Sequence, residues 1–453
     1  MKMKLRIVNV KSNIWLIVVL LLAFSFPIQV VMSNPLPSLF PYVGFIFIIL
    51  ITTFYNNKKI YTFGNTRKIN LMISVYVILV IFHATWQSVF NFITFYAAIS
   101  SIVIYIFPVL FYVYFSKYAS EKEIRRVLIA ITISGLISGM YFVYDSYSML
   151  ILGKVNDFSY KMINYTMLRA PNNYDPNLAR ISAYSRSHGL LESHSISAFW
   201  ISISCFSMLA LLPQKEILKR SLIITIFGVF LVVTLNFTSI LSFIFVVIFI
   251  EFKGYYLIKA IIEKRSLKII AVSIITFFAV GLIFIENAGE MAGAIKKIIT
   301  GQIDLLFGKT KLEVGSDETF FGNFIFSFTN FLNNMLSFPP GILIGDGFST
   351  WGVIEKGGDY GHPETLHQLG LPFYIAVIIG LFRLIKLSLN KIQILNWKIH
   401  EEGSYLYFAA CMILYILITT IHYSTWSAKS VLPIFFISIA IFSRYLPPKR
   451  KPV

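Results

Sequence analysis

Runs of eighteen or more nearly uncharged residues recur along this chain, separated by polar segments of varied length. Each run is long enough to cross a bilayer as a helix, which takes about 20 apolar residues. The pattern predicts about twelve spans, at 13–32, 37–55, 70–87, 94–116, 127–144, 189–212, 221–235, 238–251, 268–285, 371–388, 404–422 and 430–445. Two polar stretches are much longer than the other connections, 145–188 and 286–370. Within the second, Ser316-Asp317-Glu318 precedes apolar residues at 321, 324, 325, 328, 331, 332, 335 and 336, the spacing of an amphipathic helix that Pro339-Pro340 should end. Such a helix would lie on the membrane surface or cover the mouth of the bundle. The expected fold is all-α: one integral membrane domain over 1–453, a polytopic bundle with two larger extracytoplasmic loops.

Composition agrees with this reading: 57% of the 453 residues are hydrophobic and 13% are charged. A net charge of +18 would point a soluble protein toward nucleic acid. Here most Lys and Arg fall in alternate connections, which makes the excess a signal of topology, with both termini in the cytoplasm of a plasma (inner) membrane protein. No nucleic-acid partner is expected. The start, MKMKLRIVNVKSN, resembles the charged region of a signal peptide, but no small-residue cleavage site follows, so the first span is expected to be retained. Cys205 and Cys411 are the two cysteines, both within apolar runs, and are expected to be packing residues. GQIDLLFGKT at 301–310 imitates a phosphate-binding loop with the wrong glycine spacing. Metal-independent chemistry without a cofactor is the simpler expectation.

Candidate chemistry concentrates at three places. In the first long loop, Arg169, Arg180 and Arg186 lie among several tyrosines. Guanidinium suits two-point recognition of phosphate, and aromatic faces suit the flat sides of sugar rings. The sixth span opens as Arg186-Ser-His188-Gly189-Leu-Leu-Glu192-Ser-His194-Ser195. Glu192 and His194 at a span mouth are functional candidates unless water simply reaches that helix end. The third place is GDGFSTWGVIEKGGDYGHPETLHQLGLP at 345–372, which brings Asp359, His362, Glu364 and His367 within nine residues. Pro363 marks a helix start with His362 as its cap. The helical pattern then continues through Gly370 and Pro372 into the next span. The competing reading makes Asp359 and His362 a loop tether and a cap.

Arg186-x-x-Gly189 at the start of a span, and Gly345-Asp346-Gly347-Phe348 followed by Asp359, Leu366 and Gly370, resemble motifs of the O-antigen polymerase and ligase family. The family's Pro-Asn after the first motif is replaced by His194-Ser195. Its Ser/Thr-Arg between the seventh and eighth spans is replaced by Asn236, Thr238 and Ser239. The resemblance implies a glycosyltransferase acting outside the plasma membrane, with donor and acceptor glycans carried on undecaprenyl diphosphate. Membrane lipid, a chain-length regulator and a flippase would be its surroundings. On this reading Arg186, Arg180 and Arg169, with Glu192 and His194, bind substrate. His362, Asp359 and Glu364 are catalytic: a base takes the acceptor proton while cations stabilise the leaving diphosphate. Polymerisation of repeat units into O-antigen or capsule is preferred. A ligase passing glycan to lipid A-core, and a polysaccharide flippase, are the alternatives.

Overall fold

A computed structural model describes residues 2–33, 40–55, 66–90, 94–150, 156–167, 189–191, 193–213, 216–234, 236–251, 339–345, 361–394, 401–421, 428 and 430–446. Every regular element among them is helical. Six helices are long and apolar enough to cross a membrane by length and composition, and further apolar helices are shorter. The expected span 268–285 and the amphipathic helix after Ser316 lie outside the described residues, as does most of both long loops.

In chain order the helices are α1 (Lys2–Met32), α2 (Phe40–Tyr55), α3 (Thr66–Val89), α4 (Phe95–Ile106), α5 (Val109–Lys117), α6 (Glu121–Leu150), α7 (Asp157–Met167) and α8 (His194–Leu211). They continue as α9 (Ile217–Val233), α10 (Phe237–Val246, running on into a π-helical turn, Val247–Glu251), α11 (Pro339–Ile344), α12 (Gly361–Leu369), α13 (Leu371–Ile394), α14 (Glu401–Thr419) and α15 (Leu432–Tyr445). α8 and α14 form the centre, each 83% buried over its apolar window, whereas α3 and α13 are 22% and 17% buried and lie at the periphery. Around α8 pack α6, α9, α10 and α14; α1 and α2 extend the α6 side, and α15 joins α14 to α5.

Small and hydroxylated residues set the closest of these contacts. Ser204 Oγ donates to the Ile131 carbonyl, and Ser207 Oγ donates to that of Leu128 at 2.7 Å, so α8 hydrogen-bonds directly to the backbone of α6. Gly135 makes the approach possible: a Cβ there would collide with the Ser204 side chain and stand 2.8 Å from the Trp200 carbonyl. Close approach through small residues, with hydroxyls bonded across the interface, is how helices associate in lipid, where burial of apolar surface gives no net drive.

At one end of the bundle, charges are gathered and satisfied. Arg220 grips Glu251 with two hydrogen bonds, Nε to Oε1 at 2.7 Å and Nη2 to Oε2 at 2.6 Å, with both side chains buried. Its remaining donors reach the Leu209 and Leu212 carbonyls at the C-terminus of α8, and Tyr407 Oη donates to Glu251 Oε2 at 2.9 Å. At this same Arg220 end, Ser120 and Glu123 form a reciprocal capping box on α6, to which the Trp15 indole and the Tyr114 hydroxyl also donate. Arg444 donates to the Ala119 carbonyl, and Lys391 bridges Glu402 at 3.1 Å. The opposite end, which carries His362, holds the start of α8, α10 and α15 and the finish of α6 and α14, through contacts such as Phe199 with Tyr415 and Trp200 with Ser430.

Four local expectations change. The run 94–116 is two helices, because Pro108 has no N–H to continue the ladder and α4 ends at Ile106. Pro339-Pro340 opens α11 rather than only closing an earlier helix, consistent with proline's fit to a first turn. The helix containing Pro363 begins at Gly361, which puts His362 inside the first turn instead of ahead of it as a cap. It also stops at Leu369: Gly370 takes φ +75° and α13 starts afresh at Leu371.

Gly135→Val should lower the thermal midpoint in detergent by forcing α6 and α8 apart, a cost of about 1–3 kcal/mol. Gly228→Ala, where an added methyl meets open space, should leave stability unchanged or raise it by up to about 1 kcal/mol. Arg220→Ala should cost about 3–5 kcal/mol by leaving Glu251 buried and unpaired, while the double change Arg220→Met with Glu251→Leu should recover most of that loss in the same melt.

Candidate functional site

At the His362 end, α12 packs on α13 and reaches the last turn of α14. His362 Nε2 is 2.9 Å from the carbonyl of Leu417, one of the last-turn carbonyls of α14 that lack an intrahelical partner. A carbonyl only accepts, so Nε2 carries the proton. Nδ1 is then the acceptor for the Tyr374 hydroxyl at 2.8 Å. The ring is thereby a strut between α12, α13 and α14. Burial lowers its pKa, opposed by the hydrogen bond to Leu417.

The remaining polar residues of α12 face inward. Gln368 Nε2 donates to Glu364 Oε1 at 2.9 Å, and Thr365 caps back onto the Gly361 carbonyl at 2.6 Å. Glu364 is close enough to the Tyr105 phenol of α4 for the two to interact electrostatically, and His367 is buried. The corner that holds α12 is built from backbone alone. Gly345 and Gly370 both adopt φ +75°, and a Cβ on Gly345 would stand 2.6 Å from Gly370 N, while one on Gly370 would stand 2.7 Å from Gly345 N. Any side chain would be strained by conformation and blocked by backbone at once.

Across α14 lies the second cluster, where α8 and α10 begin side by side. Ser193 caps α8 by accepting from Ile196 N, and Asn236 caps α10 by accepting from Ser239 N at 2.9 Å. That bond fixes Asn236 Oδ1, so Nδ2 is the group donating to Ser195 Oγ at 3.0 Å, and Ser195 Oγ shares a 3.2 Å hydrogen bond with His194 Nε2. Two positive helix ends and one imidazole thus meet at a single hydroxyl. Gly189, at φ +78°, packs against Phe142 and Ser197, and Leu191 is held by Ser197 Oγ through both its N–H and its carbonyl.

Beside α12, α3, α13, α14 and α15 enclose a partly open cavity of about 120 Å³ whose walls are almost wholly apolar, with Tyr76, His362, Thr365, Tyr374 and Thr420 among its lining residues.

Of the residues expected from sequence, His362 and Glu364 come together on α12 and His194 joins the neighbouring cluster. Asp359, Glu192, Arg169, Arg180 and Arg186 lie outside the described residues. Sequence reasoning overlooked Asp145, a buried carboxylate near the end of α6 that accepts from Ser159 Oγ at 2.6 Å and from Asn156 Nδ2, tying α7 to α6. Its position at the edge of an apolar run was the available signal. Tyr374 gave none, because nothing local links it to a histidine twelve residues away. No family model, no curated protein and no solved structure matches the chain.

Because the folded pKa of His362 is depressed below its ordinary value near 6.5, the stability it contributes is complete above that value and is lost as pH falls through the folded value. Thermal midpoints taken from about pH 7.5 down to about pH 5 should fall more steeply for the wild type than for His362→Gln. Parallel curves would remove the burial argument.

Proposed function

We propose that this chain polymerises undecaprenyl-diphosphate-linked oligosaccharide repeat units into O-antigen or capsular polysaccharide, as a multi-pass protein of about twelve spans with the His362 end outside the plasma membrane. The single observation that carries this reading is the gathering of His194, Ser195, Asn236, His362 and Glu364 at one end of an apolar helical bundle. Charge supports the orientation. Lys117, Lys122, Arg125, Arg126, Lys219 and Lys391 belong to helix ends at the Arg220 side, a basic surface expected to face the cytoplasm together with both termini.

In the reaction, the acceptor sugar hydroxyl attacks the anomeric carbon of the donor. The carbon–oxygen bond to the diphosphate breaks, the hydroxyl proton passes to a base, and undecaprenyl diphosphate leaves. Charge grows on the departing diphosphate, so donors aimed at it favour the transition state. Arg186 precedes Gly189 by three residues, a chain reach of at most about 11 Å from the Gly189 backbone, which packs against Ser197 in the first turn of α8, where the ends of α8 and α10 add positive potential. Arg180 and Arg169 precede it in the same loop and would assist. Glu192, one residue ahead of the Ser193 cap, and His194 would orient the glycan beside them.

For the base, Asp359 and Glu364 are the carboxylates of the α12 region. His362 has both nitrogens engaged, and its Nδ1 becomes basic only when the Tyr374 hydroxyl turns away. With both of those hydrogen bonds made it positions α12 rather than accepting a proton.

Purified protein in liposomes supplied with lipid-linked single repeats should yield lipid-linked multimers resolved by gel. Arg186→Ala should insert normally and give no multimers. Unchanged single repeats with the wild type, or near-normal lengths with the variant, would count against the proposal.

A further inference from the structure

Tyr76, His362, Thr365, Tyr374 and Thr420 are the side chains bordering the cavity that can donate a hydrogen bond, and each already gives its hydrogen to the protein. Tyr76 Oη donates to the Tyr105 carbonyl at 3.2 Å, Thr365 Oγ1 to that of Gly361 at 2.6 Å, and Thr420 Oγ1 to that of Ile416 at 2.6 Å. His362 gives its Nε2 hydrogen to the Leu417 carbonyl, and its Nδ1 takes the hydrogen of Tyr374. A polar ligand arriving here meets oxygen lone pairs and has to bring the hydrogen itself. Tyr76, Thr365 and Thr420 are buried, whereas His362 and Tyr374 are partly exposed, so the Tyr374 oxygen is the acceptor within a ligand's reach.

We propose that Tyr374 is a specificity-determining residue: its hydroxyl oxygen accepts a hydrogen bond from a hydroxyl or amide N–H of the glycan, while His362 positions it by holding its hydrogen. The proposal rests on the glycan substrate argued above and adds which part of that substrate lies against α12. A sugar carries several O–H groups and can offer one to Tyr374. A phosphate oxygen brings no hydrogen and would set lone pair against lone pair. The diphosphate is directed instead to the starts of α8 and α10, where the helix ends are positive. The selectivity comes from the tautomer that the Leu417 carbonyl imposes on His362. Without an acceptor at Nδ1 the phenol could turn, donate as well as accept, and lose its preference for a sugar.

The test titrates purified full-length protein in detergent with two probes, the repeat-unit oligosaccharide released from its lipid and inorganic diphosphate, each followed by calorimetry. Tyr374→Phe should weaken the oligosaccharide by about 3- to 10-fold, the worth of one net hydrogen bond, and leave diphosphate unchanged. His362→Leu should weaken the oligosaccharide likewise. His362→Gln, whose amide can donate to Leu417 and accept from Tyr374, should bind it as the wild type does. If Tyr374 only braces α12, its loss will move both probes alike or neither, and either result overturns the proposal. So does a loss confined to diphosphate, or a wild type that does not bind the released oligosaccharide. In liposomes, Tyr374→Phe should raise KM for lipid-linked repeats by the same factor and hold kcat. Oligosaccharide bound through Tyr374 by protein that makes no multimers would sink the polymerase and leave the subsite. Multimers made with an unchanged KM in Tyr374→Phe would sink the subsite alone.

Discussion

The hydroxyls of Ser204 and Ser207, bonded to the backbone carbonyls of α6, fix the contact from which the rest of the bundle is laid out. In an apolar medium no water satisfies a stray donor, so each polar group must find its partner within the protein. Serine meets that demand with little bulk, and Gly135 removes the one Cβ that would hold the helices apart. Once α8 is seated on α6, its C-terminal carbonyls stand where Arg220 can use them, and its N-terminus stands beside Asn236. Both ends of the bundle therefore inherit their geometry from this seam.

The same demand is met differently at those two ends. At the Arg220 end the charges are closed into complete networks: Arg220 with Glu251 and Tyr407, and Glu123 with Trp15, Tyr114 and Ser120. Such networks hold helices in register and leave little for chemistry. At the His362 end, apart from Asp145 with Ser159 and Asn156, the polar groups are held by helix caps, a chain-break glycine pair and hydrogen bonds to neutral partners. Those contacts can be exchanged for a substrate's at smaller cost than a buried ion pair. Polar side chains beside an almost wholly apolar cavity give this end an amphiphilic character.

Hydrophobic run length made the helical membrane bundle legible in the sequence, because spanning a bilayer constrains composition directly. Proline and glycine gave boundaries only in part. Pro108 splits a run that hydropathy reads as continuous, and Gly370 interrupts a helical pattern because its backbone must pass against Gly345, a contact 25 residues distant that no local rule contains. For the site, His194, His362 and Glu364 were visible as titratable groups in greasy surroundings. Their partners Ser195, Asn236, Tyr374 and Leu417 were not, since those pairings depend on which helices meet. Arg220 looks in the sequence like one more basic residue in a short connection, and only the packing of α9 against the π-helical turn after α10 turns it into a buried ion pair. The Ser120-x-x-Glu123 capping box, by contrast, stood in the sequence before an apolar run and was there to be found.

The most direct test of the account is the size distribution of surface glycan, resolved on a gel, from cells that lack this gene and from the same cells with it restored. The account predicts single repeat units in its absence and long ladders on complementation. Long glycan persisting without the gene, still attached to undecaprenyl diphosphate, would contradict it and make the protein a ligase. Single repeats trapped on the cytoplasmic leaflet would contradict it as well, and would make the protein a flippase.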